Sequence, residues 1–227
     1  MSREPIPEGP FADTRKMLEV HAMFRQQFLS VPALIAGVAP NDRERTDVVA
    51  DHIRFMCVIL HEHHSVEDKF LWPWLKNRGT DDVAEIAVLM EDQHSDMTHI
   101  LDRVDDQLRG WRDSVGSQQG PALAQTMEQL LPVLMDHMSL EESRALPVIE
   151  KHISAAEWER VGEAGRGHFS LEDLMLALGM IACAKLESAP DTLLIPFEQQ
   201  GLKAYLSYAE RVYGPDKHAE IKRSLSH

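Results

Sequence analysis

Apolar residues in this chain recur at helical spacing over long stretches, and short polar breaks separate the stretches. From Phe11 to about Gly37, positions Met17, Leu18, His21, Phe24 and Phe28 fall within one arc of roughly 120°, as an amphipathic helix requires. The break APND, Ala39 to Asp42, offers a proline and an Asn or Asp cap. The pattern then predicts one long helix to about Asn77, with the stripe Val49, Ile53, Met56, Leu60, His63, Glu67, Phe70 and Trp74. NRGTDD, Asn77 to Asp82, reads as a turn. A third helix carries Val83, Ile86, Met90, His94, Met97, Leu101, Val104 and Leu108 on one side, and SVGSQQGP after it reads as the longest loop of this region. A fourth helix from about Ala122 presents Met127, Leu130, Leu131, Leu134, His137, Glu141 and Val148, with Pro132 expected to bend it or delay its start. No strand pattern competes. Four long helices on short loops describe an all-α, up-down-up-down four-helix bundle over residues 11–151.

Residues 152–227 read as a helical C-terminal extension. Ser154-x-x-Glu157 is a capping box before a short helix around Trp158, Gly162 to Gly167 reads as a glycine-rich link, and Ser170-x-x-Asp173 opens another helix through Lys185. That helix, LMLALGMIACAKL, is apolar nearly all round, so it must pack on the bundle or on a partner subunit; a homodimer through the C-terminal helices is one such arrangement. SAPDTLLIP leads to a last helix, Phe197 to Tyr213, and a polar tail.

Composition narrows the function classes. The 227 residues are 44% hydrophobic and 26% charged, enough for one well-buried core. Lys and Arg total 23 against 37 Asp and Glu, and the formal charge of −14 argues against nucleic acid or an anionic membrane as the main partner. MSREPIPEGP contains no apolar run that reads as a signal peptide and no stretch approaches a membrane span, so a cytoplasmic protein is expected. Cys57 and Cys183 lack metal or disulfide spacing and are expected to be reduced and buried.

The chemistry lies in the interruptions of the apolar stripes. His63 and Glu67 are four apart, about 40° from each other around a helix and roughly 6 Å apart along it, so one metal ion could touch both. His137 and Glu141 repeat the spacing, and Pro73 and Pro147 each lie ten residues beyond the histidine. Asp68 matches Glu142 in the same alignment of the two halves. His21 precedes His63 by 42 residues and His94 precedes His137 by 43, so the unit His, then His-x3-Glu, is stated twice. A lone stripe histidine is usually a hydrogen-bonded core residue, but buried charge is costly unless paired or metal-bound. Four imidazoles and two carboxylates on one interior suit two Fe or Mn ions bridged by the carboxylates.

With these residues, the chain from about Phe11 to Lys151 resembles the hemerythrin-like, HHE cation-binding family. The resemblance implies that His21, His63, Glu67, His94, His137 and Glu141 hold two non-haem iron ions in an oxo- or hydroxo-bridged centre, with Mn or Zn as other occupants. Oxygen-carrying hemerythrins have a second histidine one turn on along helix three, where this chain has Thr98, with His99 pointing about 100° away. His64 is the leading substitute, either as an extra ligand or as a hydrogen-bond partner to one of the ligands. Oxygen carriers also space the helix-four acid five after its histidine, which makes Glu142 a rival to Glu141; the apolar arc favours Glu141. His61 points off the stripe. Other metal classes fit worse: only Glu91 with His94 makes the Glu-x-x-His that ferritin-like sites need twice, and Ser65 stands where HExxH needs its second histidine. His168-x3-Glu172 is read as a helix-start feature.

The expected function is binding or turnover of a small oxidant, H2O2, O2 or NO, with catalase-like or peroxidase-like activity as the enzymatic form. The alternative is an iron- or oxygen-responsive sensor without turnover.

Overall fold

The computed structural model describes residues 4–114, 119–189 and 191–224, and among them the chain is helical almost throughout, with a single antiparallel bridge between Phe11 and Ser154. Four long helical stretches form the bundle: α1 (Arg15–Ala36), α2 (Arg43–Val66) continuing into α3 (Trp72–Arg78), α4 (Asp81–Ser114), and α5 (Gln119–Leu140) continuing into α6 (Leu146–His152). The extension adds α7 (Ala155–Arg166), α8 (Leu171–Ser188) and α9 (Pro196–Ser224). No helix among the described residues is long and apolar enough to cross a membrane.

Local signals account for most of the boundaries. Asp42 caps α2 by accepting a hydrogen bond from the Arg45 amide at 3.0 Å. Ser154 and Ser170 cap α7 and α8 through reciprocal boxes with Glu157 and Asp173. Of the expected loop SVGSQQGP, residues 115–118 lie outside the described residues, and the flanks are helical, with α4 reaching Ser114 and α5 starting at Gln119. Helix α5 therefore runs through Pro132 instead of starting after it.

The expected continuous second helix is interrupted. Glu67–Leu71 forms a wider π-type turn, closed by the Trp72 N–H on the Glu67 carbonyl, five residues back. Glu141–Ala145 does the same through Leu146. In both halves a proline follows one residue after the turn, Pro73 and Pro147. Proline lacks an N–H and crowds the carbonyl four residues back, so the backbone widens just before it. The extra residue moves the buried stripe forward by one. Leu71, Trp72 and Leu75 are buried where the regular spacing pointed to Phe70 and Trp74, and Ala145, Leu146 and Ile149 where it pointed to Val148; Phe70, Trp74 and Val148 are only partly buried. Leu18, expected on the α1 stripe, is 44% exposed.

Two corrections concern the extension. Gly162 to Gly167 is not a link, because α7 continues to Arg166, and Gly165 faces the Val66 side chain where α7 meets α2. The last helix does not stop at Tyr213: it breaks at Gly214, whose φ of 80° favours glycine, and resumes with Pro215 to Ser224. The apolar helix α8 is covered within the chain by α1 and α9, while Leu171, Leu193, Ile195 and Phe197 stay exposed around its start and the loop beyond it. Its crossing with α9 is close enough that a methyl group on Gly179 would collide with the Gly201 carbonyl. Both cysteines are free thiols, with Cys183 buried and Cys57 only partly so.

The three tyrosines of the chain all lie on α9 and dock it through a buried polar cluster. His52 of α2 has Tyr208 Oη 3.0 Å from Nδ1 and Tyr213 Oη 3.4 Å from Nε2. The Tyr213 hydroxyl donates to Gln27 Oε1 at 2.7 Å, and Gln27 Nε2 donates to Tyr205 Oη at 3.1 Å. With Tyr213 donating to Gln27, its oxygen is free to accept from His52 Nε2–H, and Tyr208 can donate to Nδ1, which is the neutral imidazole. Burial, and then the nearby Arg45 guanidinium, lower the pKa of His52 from 6.5 to about 3. Above pH 6.5 His52 is neutral in folded and unfolded chains alike; between 6.5 and 3 the unfolded chain takes a proton that the folded one refuses, so stability falls with pH. From pH 7 to 5 this amounts to about 2 kcal/mol. Urea unfolding in chelator at the two pH values is expected to show a loss smaller by about that amount in His52→Gln than in the parent. Equal losses would mean that His52 is not held neutral.

Candidate metal centre

On every long stretch of the bundle, the acid and imidazole residues fall between two apolar clusters. One cluster includes Phe24, Leu60, Met97 and Leu134; the other includes Met17, Leu71, Met90 and Ala145. His21 lies between Met17 and Phe24 on α1, His94 between Met90 and Met97 on α4, and the His63/Glu67 and His137/Glu141 pairs between Leu60 and Leu71 and between Leu134 and Ala145. The interior is thus apolar, polar, apolar along the bundle axis, and the polar layer is shielded from water on both sides.

All six expected residues meet in this layer. His21, Glu67, His94, His137 and Glu141 are buried, and the His63 side chain is 13% exposed. Glu67 reaches two imidazoles from different helices, with Oε1 3.3 Å from His63 Nε2 and Oε2 3.5 Å from His94 Nε2. Glu141 does likewise, with Oε2 3.2 Å from His21 Nε2 and 3.7 Å from His137 Nε2. Both carboxylates begin the π-type turns, which supply the bend that aims them inward.

The outer edges of three imidazoles are held from behind. His21 Nδ1 meets Glu142 Oε1 at 2.9 Å, and Glu142 also accepts from Arg25 Nη1 at 2.7 Å. His94 Nδ1 meets Asp68 Oδ1 at 2.7 Å, and His137 Nδ1 meets Gln93 Oε1 at 3.1 Å. These contacts turn Nε2 of each ring toward the centre and increase its basicity as a ligand. Glu142 therefore stands outside the layer and Glu141 inside it. Asp68, Gln93 and Arg25 were missed as functional positions; the signal for Asp68 was its match to Glu142, since the acid after each inner glutamate orients the histidine of a neighbouring helix.

His64 also enters the layer, beside His94 and His137. His99 is exposed, and Thr98 is occupied by a hydrogen bond to the His94 carbonyl at 2.9 Å. His61 is exposed near Ser65 at 3.5 Å. Glu91 pairs with Lys76 at 2.6 Å on the surface, away from a ferritin-like arrangement. His168 pairs with Glu62 at 2.8 Å, and Glu172 lies in the first turn of α8.

The electrostatics of the layer follow from burial and mutual contact. Burial opposes charge on His21, yet Glu141 and Glu142 outweigh it and hold its pKa at about 9. Burial likewise opposes charge on Glu141, but His21, with His137 and His63, keeps it below the ordinary carboxylate range. Glu67 is pushed well up, first by burial and then by the Glu141 charge. Burial lowers His63 and His137 to about 3, and His64 falls well below its usual value for the same reason. Without cations, one ion pair, His21 with Glu141, is therefore the favoured charged state.

The donor set suits divalent transition ions. Both oxygens of Glu67, both oxygens of Glu141, and Nε2 of His21 and His63 are buried without a hydrogen-bond partner, an arrangement that costs roughly 1–3 kcal/mol per atom unless a cation takes them up. Ligand atoms of His21, His63 and Glu141, of Glu67, His137 and Glu141, and of His64, His94 and His137 lie within 4.8 Å of one another in each group. Imidazole and carboxylate together accommodate Fe, Mn or Zn. The family model described as the hemerythrin HHE cation binding domain matches residues 12–149. No curated protein and no solved structure matches the chain.

Proposed function

The chain belongs to the hemerythrin HHE cation-binding domain family, and from that premise we propose that its polar layer holds two non-haem iron ions and binds or turns over a small oxidant, hydrogen peroxide, dioxygen or nitric oxide. The observation that carries this reading is the pair of buried carboxylates, each spanning imidazoles from two helices with both its oxygens unpartnered. Two such carboxylates are suited to lie between two cations. When bound, iron would supply the electrons that a small oxidant takes up.

The protein's own part is orientation and exclusion. Asp68, Gln93 and Glu142 fix three imidazole planes, and Arg25 offsets the Glu142 charge. The apolar clusters on either side keep bulk water and larger molecules out, which favours small diffusible ligands over extended substrates. Phe24, whose ring lies 5.3 Å from that of His63, lines the only ligand position with appreciable exposure among those of the six.

The experiment is metal analysis of protein produced with iron, with absorption spectra before and after hydrogen peroxide and a measurement of released oxygen. About two irons per chain with peroxide-dependent spectra is the expected result, and oxygen release separates turnover from binding. No stoichiometric metal would overturn the reading.

A sensor role is favoured by one feature: α1 carries His21 on one side and packs against α8 on another, so occupancy of the centre is mechanically connected to the extension. Iron-dependent protease sensitivity confined to residues after Lys151 would support that role, and its absence would remove it.

A further inference from the structure

Helix α2 brings two adjacent histidines to the interior. Neighbouring residues on a helix point about 100° apart, so His63 and His64 face different partners. His63 turns toward α1, where its ring lies edge-on to that of His21 at 5.7 Å. His64 turns toward α4 and α5. Its ring stacks on that of His94 at 4.0 Å with an interplanar angle of 12°, and meets that of His137 edge-on at 5.0 Å. The residue is 5% exposed, and its ring nitrogens make no hydrogen bond among the described residues, although neither is as fully closed off as Nε2 of His21 and His63.

An imidazole carries a donor and an acceptor, and leaving either unpaired in a largely closed interior is unfavourable. The other buried histidines of the bundle find at least one hydrogen-bond partner in the protein: His52 two tyrosines, and His21, His94 and His137 carboxylate or amide oxygens on Nδ1. His64 does not. What it has instead is a nitrogen within 4.8 Å of nitrogens on His94 and His137.

We propose that His64 is itself a metal ligand, completing with His94 and His137 a three-imidazole set for one ion, while His21 and His63 serve the other and Glu67 and Glu141 are shared. This rests on the reading of the layer as a two-metal centre. The proximity of the nitrogens is the supporting detail: one ligand atom from each of His64, His94 and His137 lies within 4.8 Å of the other two, so modest rotations of the rings would aim all three at one ion. The two sites are thereby unequal, and the three-imidazole site holds its ion the more tightly.

The test loads the full chain with cobalt(II) and reads the hyperfine-shifted, exchangeable imidazole N–H protons by NMR, each bound imidazole contributing one. Five such signals in the parent protein, one of them absent in His64→Phe, are expected, together with at least hundredfold weaker binding of one ion in that variant. Phenylalanine keeps the ring stack and removes the nitrogens, so a purely packing role predicts no change. In His64→Ala, added imidazole is expected to restore the lost ion. Two cobalt ions with four signals in the parent, or two equally tight ions in His64→Phe, would overturn the role of His64 while leaving the two-metal reading intact. Loss of the ion in His64→Ala without rescue by imidazole would also overturn it. Failure of the parent to take up two ions would instead overturn the two-metal reading on which it depends.

Discussion

Replacing Glu67 with leucine is expected to move the metal-free and metal-loaded forms of the protein in opposite directions. Glu67 is fully buried, both its oxygens lack hydrogen-bond partners, and its pKa is driven up by burial and by the Glu141 charge. In the metal-free protein it is a desolvated polar group without compensation. Leucine has a similar volume and removes the penalty, so the metal-free variant is expected to gain about 1–3 kcal/mol, read as a higher urea midpoint in chelator. In the loaded protein the same change removes the group that spans His63 and His94. Partners behind a ligand are worth about 10–100-fold in affinity, so loss of a shared ligand is expected to weaken metal binding by at least about 100-fold. A variant that is destabilised without metal, yet still takes up two ions, would show that Glu67 is a structural residue. Opposed signs at one position are what a site maintained for binding at the expense of stability produces.

Removing metal from the parent protein is the second large effect. A ligand that binds only the folded chain, at a thousandfold its dissociation constant, stabilises by about 4 kcal/mol per site, and for a chain of this size that is about 8–16 °C in melting temperature. The loaded protein is therefore expected to melt at least that far above the chelated one. The stabilisation depends on pH with a definite sign. His21 has a pKa of about 9, so a cation taking its Nε2 must displace a proton at neutral pH, and the raised pKa of Glu67, caused by burial and the Glu141 charge, makes protons compete with the cation in the same direction. Apparent affinity is expected to rise with pH up to about 9, by roughly tenfold per unit for each displaced proton. Direct proton release on adding Fe(II) anaerobically to weakly buffered protein checks this, and release of none would contradict the assigned protonation states.

The bundle and the identity of its interior polar residues were readable from spacing because both depend on helical period. A residue three or four positions along a helix shares a face regardless of what the helix packs against, so His21, His63, Glu67, His94, His137 and Glu141 could be placed on four inward stripes before any contact was known. The capping boxes at Ser154 and Ser170 were equally local, since each satisfies amide groups within one turn.

The remaining features depended on contacts between elements. The one-residue shift at Leu71 and Ala145 arises where a proline meets a carbonyl already committed to a helix, and a regular period extrapolates past it. The apolar arc already pointed to Glu141 as the inward acid, but that Glu142 turns back to hold His21, drawn outward by Arg25 of another helix, depended on packing. Asp68, Gln93 and His64 acquire their positions only because α4 and α5 stand beside α2, and the burial of α8 rests on a glycine-to-glycine crossing with α9. Periodicity records which way a side chain leaves its own helix. What it meets there is set by the neighbouring helix, and that requires the packed chain.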